Sequence, residues 1–169
     1  MNKTYTEAEL DEVIARSVEL QGAQRASVIP ILNEINETLG FIPVEALGKI
    51  RRLINSPEEG LFLADSQLFA TASFYSLFSL RPLGRHVIRF CESAPCHVVG
   101  AREVIEAIQD HLGIQVGETT HDRQFTLLTT SCVGICSVGP VFLVDDDLYG
   151  HVIPERVPAI LEKYQGGEG

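Results

Sequence analysis

Four thiols hold most of the chemistry available to this chain. Cys91 and Cys96 have four residues between them, and Cys132 and Cys136 have three. The first ninety residues contain no cysteine. Clustered thiolates in a reducing compartment point to metal binding rather than to structural disulfides. Zinc and iron–sulfur clusters both accept four thiolates. Zinc usually takes its ligands from short knuckles, whereas a two-iron cluster is wider and needs two thiolates on each iron. A pairwise grip by Cys91, Cys96, Cys132 and Cys136 matches the second need better. The ligand logic therefore favours a [2Fe–2S] cluster, with zinc and redox-active thiols or disulfides as lesser alternatives. The Cys-x-x-Cys of a dithiol reductase is missing. A cluster with every position filled by thiolate binds no substrate and moves one electron at a time, so no catalytic residue is expected in this chain. Peptide N–H groups of Val133 to Ser137 are placed to donate to the sulfurs and favour the reduced form. Apolar Ala94, Ile135 and Val138 and the acidic field act in the opposite sense.

The thiols must be brought together by the elements around them. His86 to Cys91 is a short β-rich run, Val98 to Leu112 has helical periodicity ending at Gly113, and Phe125 to Ser131 is again strand-like. A strand–helix–strand crossover makes its two strands parallel neighbours. Both cysteine pairs then leave the C-terminal edge of one sheet, the edge where ligands sit in open α/β sheets. Pro95, Gly134 and Pro140 suit tight loops there. Val141 to Val144 and Tyr149 to Ile153 read as strands around the turn Asp145-Asp146-Asp147, and Pro154 opens a last helix carrying Val157, Ile160 and Leu161. The order is β-α-β-β-β-α, an α/β layer structure.

The first half has a different pattern. A helix is expected within the first twenty residues (Leu10, Val13, Ile14, Val18). A stronger one runs from Ala23 to Leu39, with Val28, Ile31, Leu32, Ile35 and Leu39 on one stripe and Gly40 after it. Pro43 opens another with Leu47, Ile50 and Ile54. Ser56-Pro57-Glu58-Glu59 has the form of a capping box, and Asp65 to Ser73 forms a further helix. The expected organisation is a helical bundle over residues 1–80, a turn-like linker at Arg81-Pro82-Leu83-Gly84 opening an α/β domain over 81–165, and a disordered tail over 166–169. The fold class is α/β, or α+β over the whole chain.

The 169 residues carry 13 Lys+Arg against 23 Asp+Glu, a net charge of −10. A surface of that sign repels nucleic acid and anionic membrane. No apolar run approaches the length of a membrane span, and the polar start Met1-Asn2-Lys3-Thr4-Tyr5-Thr6-Glu7 has no signal core, so the chain is expected to be cytoplasmic. There is no G-x-G-x-x-G and no phosphate-loop pattern, which leaves nucleotide binding to a partner.

Other residues have plainer readings. His97 beside Cys96 invites a mixed-ligand site, but four cysteines already complete a cluster, and a histidine at a helix start is expected. His86, His111, His121 and His151 have no metal spacing. Phe74, Tyr75 and Phe78 read as bundle core before partner-docking patch. Asp145-Asp146-Asp147 reads as a solvated hairpin turn rather than a calcium loop. Thr119-Thr120-His121-Asp122 reads as a loop.

Several motifs together resemble a known family. They are Ile29-Pro30-Ile31-Leu32, Gly40-Phe41-Ile42-Pro43, Ser73-Phe74-Tyr75-Ser76-Leu77-Phe78, Arg85-His86-Val87-Ile88-Arg89-Phe90-Cys91, Cys96-His97-Val98-Val99-Gly100-Ala101, Gly117-Glu118-Thr119-Thr120 and Cys132-Val133-Gly134-Ile135-Cys136. Over about residues 23 to 164 they resemble the 24 kDa subunit family of NADH:quinone oxidoreductase (complex I). Related small subunits serve NAD-linked hydrogenases, electron-bifurcating complexes and formate dehydrogenases. The resemblance implies a thioredoxin-like ferredoxin domain behind an N-terminal helical bundle that docks a partner. It implies one [2Fe–2S] cluster on Cys91, Cys96, Cys132 and Cys136. It also implies a flavoprotein partner carrying FMN and the NAD(H) site, with further iron–sulfur subunits in the complex. The chain departs from the pattern at Val133, where Leu is frequent, at Gly139-Pro140, where Ala-Pro is frequent, and over Arg51 to Gln67.

Overall fold

The computed structural model describes residues 5–54 and 62–165. The chain divides into two compact units, the first ending at Pro82 and the second beginning at Leu83.

The first unit is built from α1 (Glu7–Gln21), α2 (Val28–Leu39), α3 (Val44–Ile54) and α4 (Asp65–Phe74). Thr6 opens α1 with a reciprocal cap: its hydroxyl accepts the Glu9 N–H, and the Glu9 carboxylate accepts the Thr6 N–H. The expected stripes meet in one core of Leu10, Ile14, Ile31, Leu32, Ile35, Leu47, Ile50, Ile54 and Leu68. The second helix starts at Val28, where its apolar stripe begins, five residues later than the expected Ala23. Gly22 ends α1 at φ 79°, and the Ser27 hydroxyl donates to the Gln21 carbonyl at 2.6 Å. Residues 22–27 are therefore spent on a turn, the last three as a single 3₁₀ turn. The expected capping box at Ser56 to Glu59 and the tail at 166–169 lie outside the described residues.

Contrary to expectation, Phe74 at the end of α4 and Tyr75 after it are not core, whereas Phe78 packs against the core as expected. Phe74 is 80% exposed and Leu77 73%, while Phe78 is partly buried against the bundle. Asn36 fixes this outward course: its side chain donates to the Leu77 carbonyl and accepts the Ser79 N–H, and the Ser79 carbonyl accepts the Ile42 N–H. With residues 77–79 pinned to α2 and its following turn by polar bonds, Phe74 and Leu77 point away from the core.

The second unit carries a four-stranded mixed sheet in the order β2-β1-β3-β4. Its strands are β1 (His86–Cys91), β2 (Phe125–Thr130), β3 (Phe142–Val144) and β4 (Asp147–Tyr149). β1 and β2 are parallel, with His86 opposite Phe125 and Cys91 opposite Thr130. β1 with β3, and β3 with β4, are antiparallel. Ile88, Phe90, Phe125, Leu127, Phe142 and Val144 join Val104 and Ile108 of α6 (Ala101–Leu112) and Val157, Ile160 and Leu161 of α7 (Val157–Gln165) in a second core. This is the expected mixed α/β layer behind N-terminal helices. The segment 117–120 is more than a loop. It exchanges backbone bonds with Phe125 and Leu127, and so covers the outer edge of β2.

Two element boundaries in this unit differ from expectation. The helix expected from Val98 is two helices: α5 (Ala94–Val98), which carries Cys96, and α6. Gly100, at φ 98°, takes a backbone state open mainly to glycine and breaks the run. The last strand is Asp147–Tyr149 and not Tyr149–Ile153. His151, at φ 49°, turns the chain so that the His151 and Val152 N–H groups bond Val138 and Pro140 instead of extending the hairpin.

Candidate metal centre

The two cysteine pairs lie at the C-terminal ends of neighbouring parallel strands. Cys91 is the last residue of β1, and Cys96 sits one turn into α5. Cys132 follows β2 by two residues, and Cys136 opens a 3₁₀ turn over Cys136–Val138. The parallel register sets the ends of β1 and β2 side by side, so the crossover through α5 and α6 brings both loops to one edge.

Within each pair the sulfurs are 3.5 Å apart. That is well beyond a disulfide bond of about 2.05 Å. It is close to the separation of about 3.7 Å for two thiolates sharing one tetrahedral metal with bonds of about 2.3 Å. The pairs differ in exposure. Cys91 and Cys96 are buried, whereas Cys132 and Cys136 face solvent. Among the described residues, no three His, Cys, Asp or Glu side chains converge closely enough to hold a single metal ion. The four thiols are arranged as two pairs.

Backbone groups and neighbouring charge decide which thiols ionise. Burial pushes the Cys91 thiol up, but the Ser93 amide, the Cys96 thiol and the Val133 amide outweigh it and hold Cys91 below the usual range. Cys96 goes the other way. Burial, its bond to Cys91 and the Cys91 charge raise it, and the Val141 amide offsets only part of this. The bond to Cys132, burial and the Cys132 charge raise Cys136. Each sulfur in these raised thiols also feels one of the other pair: Cys136 acts on Cys96, and Cys91 on Cys136. The Gly134 N–H donates to Cys132 Sγ at 3.3 Å. Gly134 has φ 88°, and this turn aims its amide back at the sulfur. Amide donation from Val133 and Gly134 is what the loop composition led one to expect.

His97 is exposed on α5 next to Cys96. His111, His121 and His151 are exposed and far apart in sequence, while half-buried His86 is engaged elsewhere: its Nδ1 lies 2.7 Å from Asp145 Oδ2. Asp145 is therefore not a merely solvated turn residue, because its other carboxylate oxygen accepts the Val87 N–H at 2.8 Å. Nothing in the run Asp145-Asp146-Asp147 singles out Asp145, because its partners His86 and Val87 come from a strand distant in sequence. An exposed apolar rim was also missed. Val98 is 86% exposed, and Val99 and Val133 are exposed too, beside the loops that carry the thiols.

Sheet, flanking helices and paired thiols at one sheet edge have the plan of an α/β iron–sulfur electron carrier. Comparison with known proteins gives the particular family. Residues 10–165 match the family described as thioredoxin-like [2Fe-2S] ferredoxin, and the chain belongs to it. It is 37% identical over 141 residues to a subunit of the NADH-quinone oxidoreductase of Salmonella typhimurium, covering 83% of this chain and 81% of that one. The figures are the same for the corresponding Escherichia coli K12 protein. A solved NAD+-reducing [NiFe]-hydrogenase has the same fold at TM-score 0.65 and 23% identity, over 82% of this chain but only 23% of that one. The resemblance to the complex I subunit family is thus borne out, and with it the role of a [2Fe–2S] electron-transfer subunit. The relatives are subunits of oxidoreductases, so the chain is a component of a redox complex. Among the described residues, no helix is long and apolar enough to cross a membrane.

Proposed function

We propose that Cys91, Cys96, Cys132 and Cys136 hold the [2Fe–2S] cluster, one pair to each iron, and that the chain passes single electrons to or from the flavin of a partner subunit. The observation that carries this reading is the pairing itself: two sulfur pairs, each 3.5 Å across, at the ends of adjacent parallel strands. When bound, the cluster supplies a one-electron couple. The chain's own residues supply the rest. Cys91 and Cys96 form the buried side of the grip, and Cys132 and Cys136 the side open to a partner. The Ser93, Val133, Gly134 and Val141 amides favour charge on the sulfurs. Apolar Val98, Val99 and Val133 are exposed beside those loops.

The partner is a flavoprotein with FMN and the NAD(H) site, since this chain has no nucleotide-binding motif. Oxidoreductase activity with NADH belongs to the assembled complex, and the chain alone catalyses nothing. The helical unit is the docking unit, with outward Phe74 and Leu77 as contacts. Further iron–sulfur subunits complete the complex, which works in the cytoplasm or on its face of a membrane.

Anaerobic purification tests the reading. The protein should be brown, contain iron and acid-labile sulfide in equal amounts, and give a rhombic spin-half EPR signal on dithionite reduction. A colourless protein with one zinc per chain would overturn it. Native pull-down then identifies the flavoprotein.

A further inference from the structure

One segment reaches both cysteine pairs. Residues 139–141 run from the second thiol loop back to the first. The Gly139 N–H bonds the Cys136 carbonyl at 3.2 Å, the Val141 carbonyl accepts the Cys91 N–H at 3.1 Å, and the Val141 amide favours charge on Cys96. The segment is backed in turn by residues 150–152. The His151 N–H bonds the Val138 carbonyl at 2.6 Å, and the Val152 N–H bonds the Pro140 carbonyl at 3.3 Å. That backing is tight, because a Cβ on Gly150 would come within 2.9 Å of the Val138 carbonyl oxygen and 3.0 Å of its side chain. The strap therefore cannot retreat toward the hairpin.

Gly139 lies at its narrowest point. Its backbone, at φ −62° and ψ 156°, is one that any residue adopts, so conformation does not demand glycine there. Space does. A Cβ at 139 would stand 3.1 Å from Val99 Cγ2, 3.3 Å from the Cys136 carbonyl oxygen and 3.4 Å from Cys96 Sγ. One of these is a sulfur of the first pair, one is backbone of the second pair, and the third is a side chain on the turn after Cys96. We infer that Gly139 is a positioning residue for the metal centre: its missing Cβ sets how closely Cys96 approaches the Cys132–Cys136 loop, and Val99 takes up the space it leaves. The inference rests on the ligand assignment proposed above. A methyl at 139 meets Val99 first, and where Val99 does not give way the 139–141 segment shifts relative to Cys96.

The test uses the full chain, reconstituted anaerobically with iron and sulfide, as wild type, Gly139→Ala, Val99→Ala and the double variant. Cys132→Ser controls for the ligand assignment. Iron and sulfide content, the EPR g values of the reduced protein, and the rate at which a chelator strips iron are read for each. G139A should shift the g values and lose iron about tenfold faster, the low end for changes beside metal ligands. V99A should behave as wild type, and the double variant should return toward wild type in both readouts. If G139A does not fold, a folded double variant with wild-type spectra supports the inference, and a double variant that also fails to fold overturns it. Wild-type g values and iron loss in G139A overturn it while Cys132→Ser still alters the spectrum, which leaves the ligand assignment standing. A wild-type chain that takes up no [2Fe–2S] cluster overturns both.

Discussion

His86 and Asp145 tie the start of the central strand to the turn of the β3–β4 hairpin. The imidazole Nδ1 meets one carboxylate oxygen at 2.7 Å, and the other accepts the Val87 N–H at 2.8 Å. Asp145 does this from φ 54°, where aspartate and asparagine are tolerated and alanine is strained. Asp145→Ala therefore loses two bonds and adds backbone strain, and should cost about 2 kcal/mol of stability. Asp145→Asn keeps an acceptor for Val87 and the backbone preference, and should cost less than about 1 kcal/mol. Thermal unfolding of the two variants against wild type decides this. No loss in either variant would mean that the carboxylate is only a surface group.

The sequence conveyed the second unit's architecture well and its polar connections poorly. Apolar periodicity placed Leu10, Ile31 and Ile50 in one core and Val104 and Ile108 in another because side-chain spacing and burial follow the same period. The four thiols were legible for a similar reason: short gaps, each after a strand-like run, and one crossover. What failed was anything set by a partner distant along the chain. Phe74 and Tyr75 look like core by composition, but the Asn36 bonds to Leu77 and Ser79 set the course of the chain after them and they stay exposed. The helix from Val98 looked continuous because nothing local shows that Gly100 must adopt φ 98° to let Cys96 sit in a separate turn.

The outer edge of the sheet has a proton-dependent contact. Burial, the Asp147 carboxylate and the Tyr149 hydroxyl hold the Tyr164 phenol well above the usual tyrosine range. A group whose folded pKa is raised contributes stability that is complete below its unfolded value, about 10 for tyrosine, and is lost as pH rises through the folded value. Stability should therefore fall above about pH 10, with the unfolded state releasing the proton that the folded state keeps. Lys49, raised by its pairing with Asp11, weakens the fold in the same window. Tyr164→Phe should flatten the alkaline limb relative to wild type, as read by urea unfolding between about pH 8 and 11. An unchanged slope would show that the phenol is free in the folded state.

Metal removal should expose the asymmetry of the two pairs. Cys132 and Cys136 are open to solvent, while Cys91 and Cys96 are 1% and 2% exposed. The amides around Cys91 hold its thiol below the usual range, yet access outweighs ionisation. Iodoacetamide should label Cys132 and Cys136 first, about tenfold or more ahead of the buried pair. Mass spectrometry of partly labelled chains reads the order. Early labelling of Cys91 would place the first pair at the surface. In the loaded protein, Cys91→Ala and Cys132→Ala should each abolish the visible spectrum, while His97→Ala leaves it. Loss of colour in His97→Ala would mean that the ligand set is wrong.

Phe74 and Leu77 separate packing from docking. Both are exposed, so Phe74→Ala and Leu77→Ala should change stability by no more than about 0.5 kcal/mol. Their exposure is not loose chain, because Asn36 and Ile42 pin the backbone beside them. A rigid pair of large apolar groups held in water adds little to the fold, yet it is preorganised for a partner, and preorganised apolar anchors are where binding energy concentrates. If the helical unit docks the flavoprotein, each variant should weaken association by about tenfold or more, the equivalent of about 1.4 kcal/mol. Cluster content and EPR signal should stay as in wild type, because both residues belong to the helical unit and the thiols to the other. Pull-down of the partner with wild-type and variant chains at matched concentration measures this. Undiminished capture with both residues truncated would assign docking to another surface. A loss of stability much above about 0.5 kcal/mol would instead return these side chains to the core.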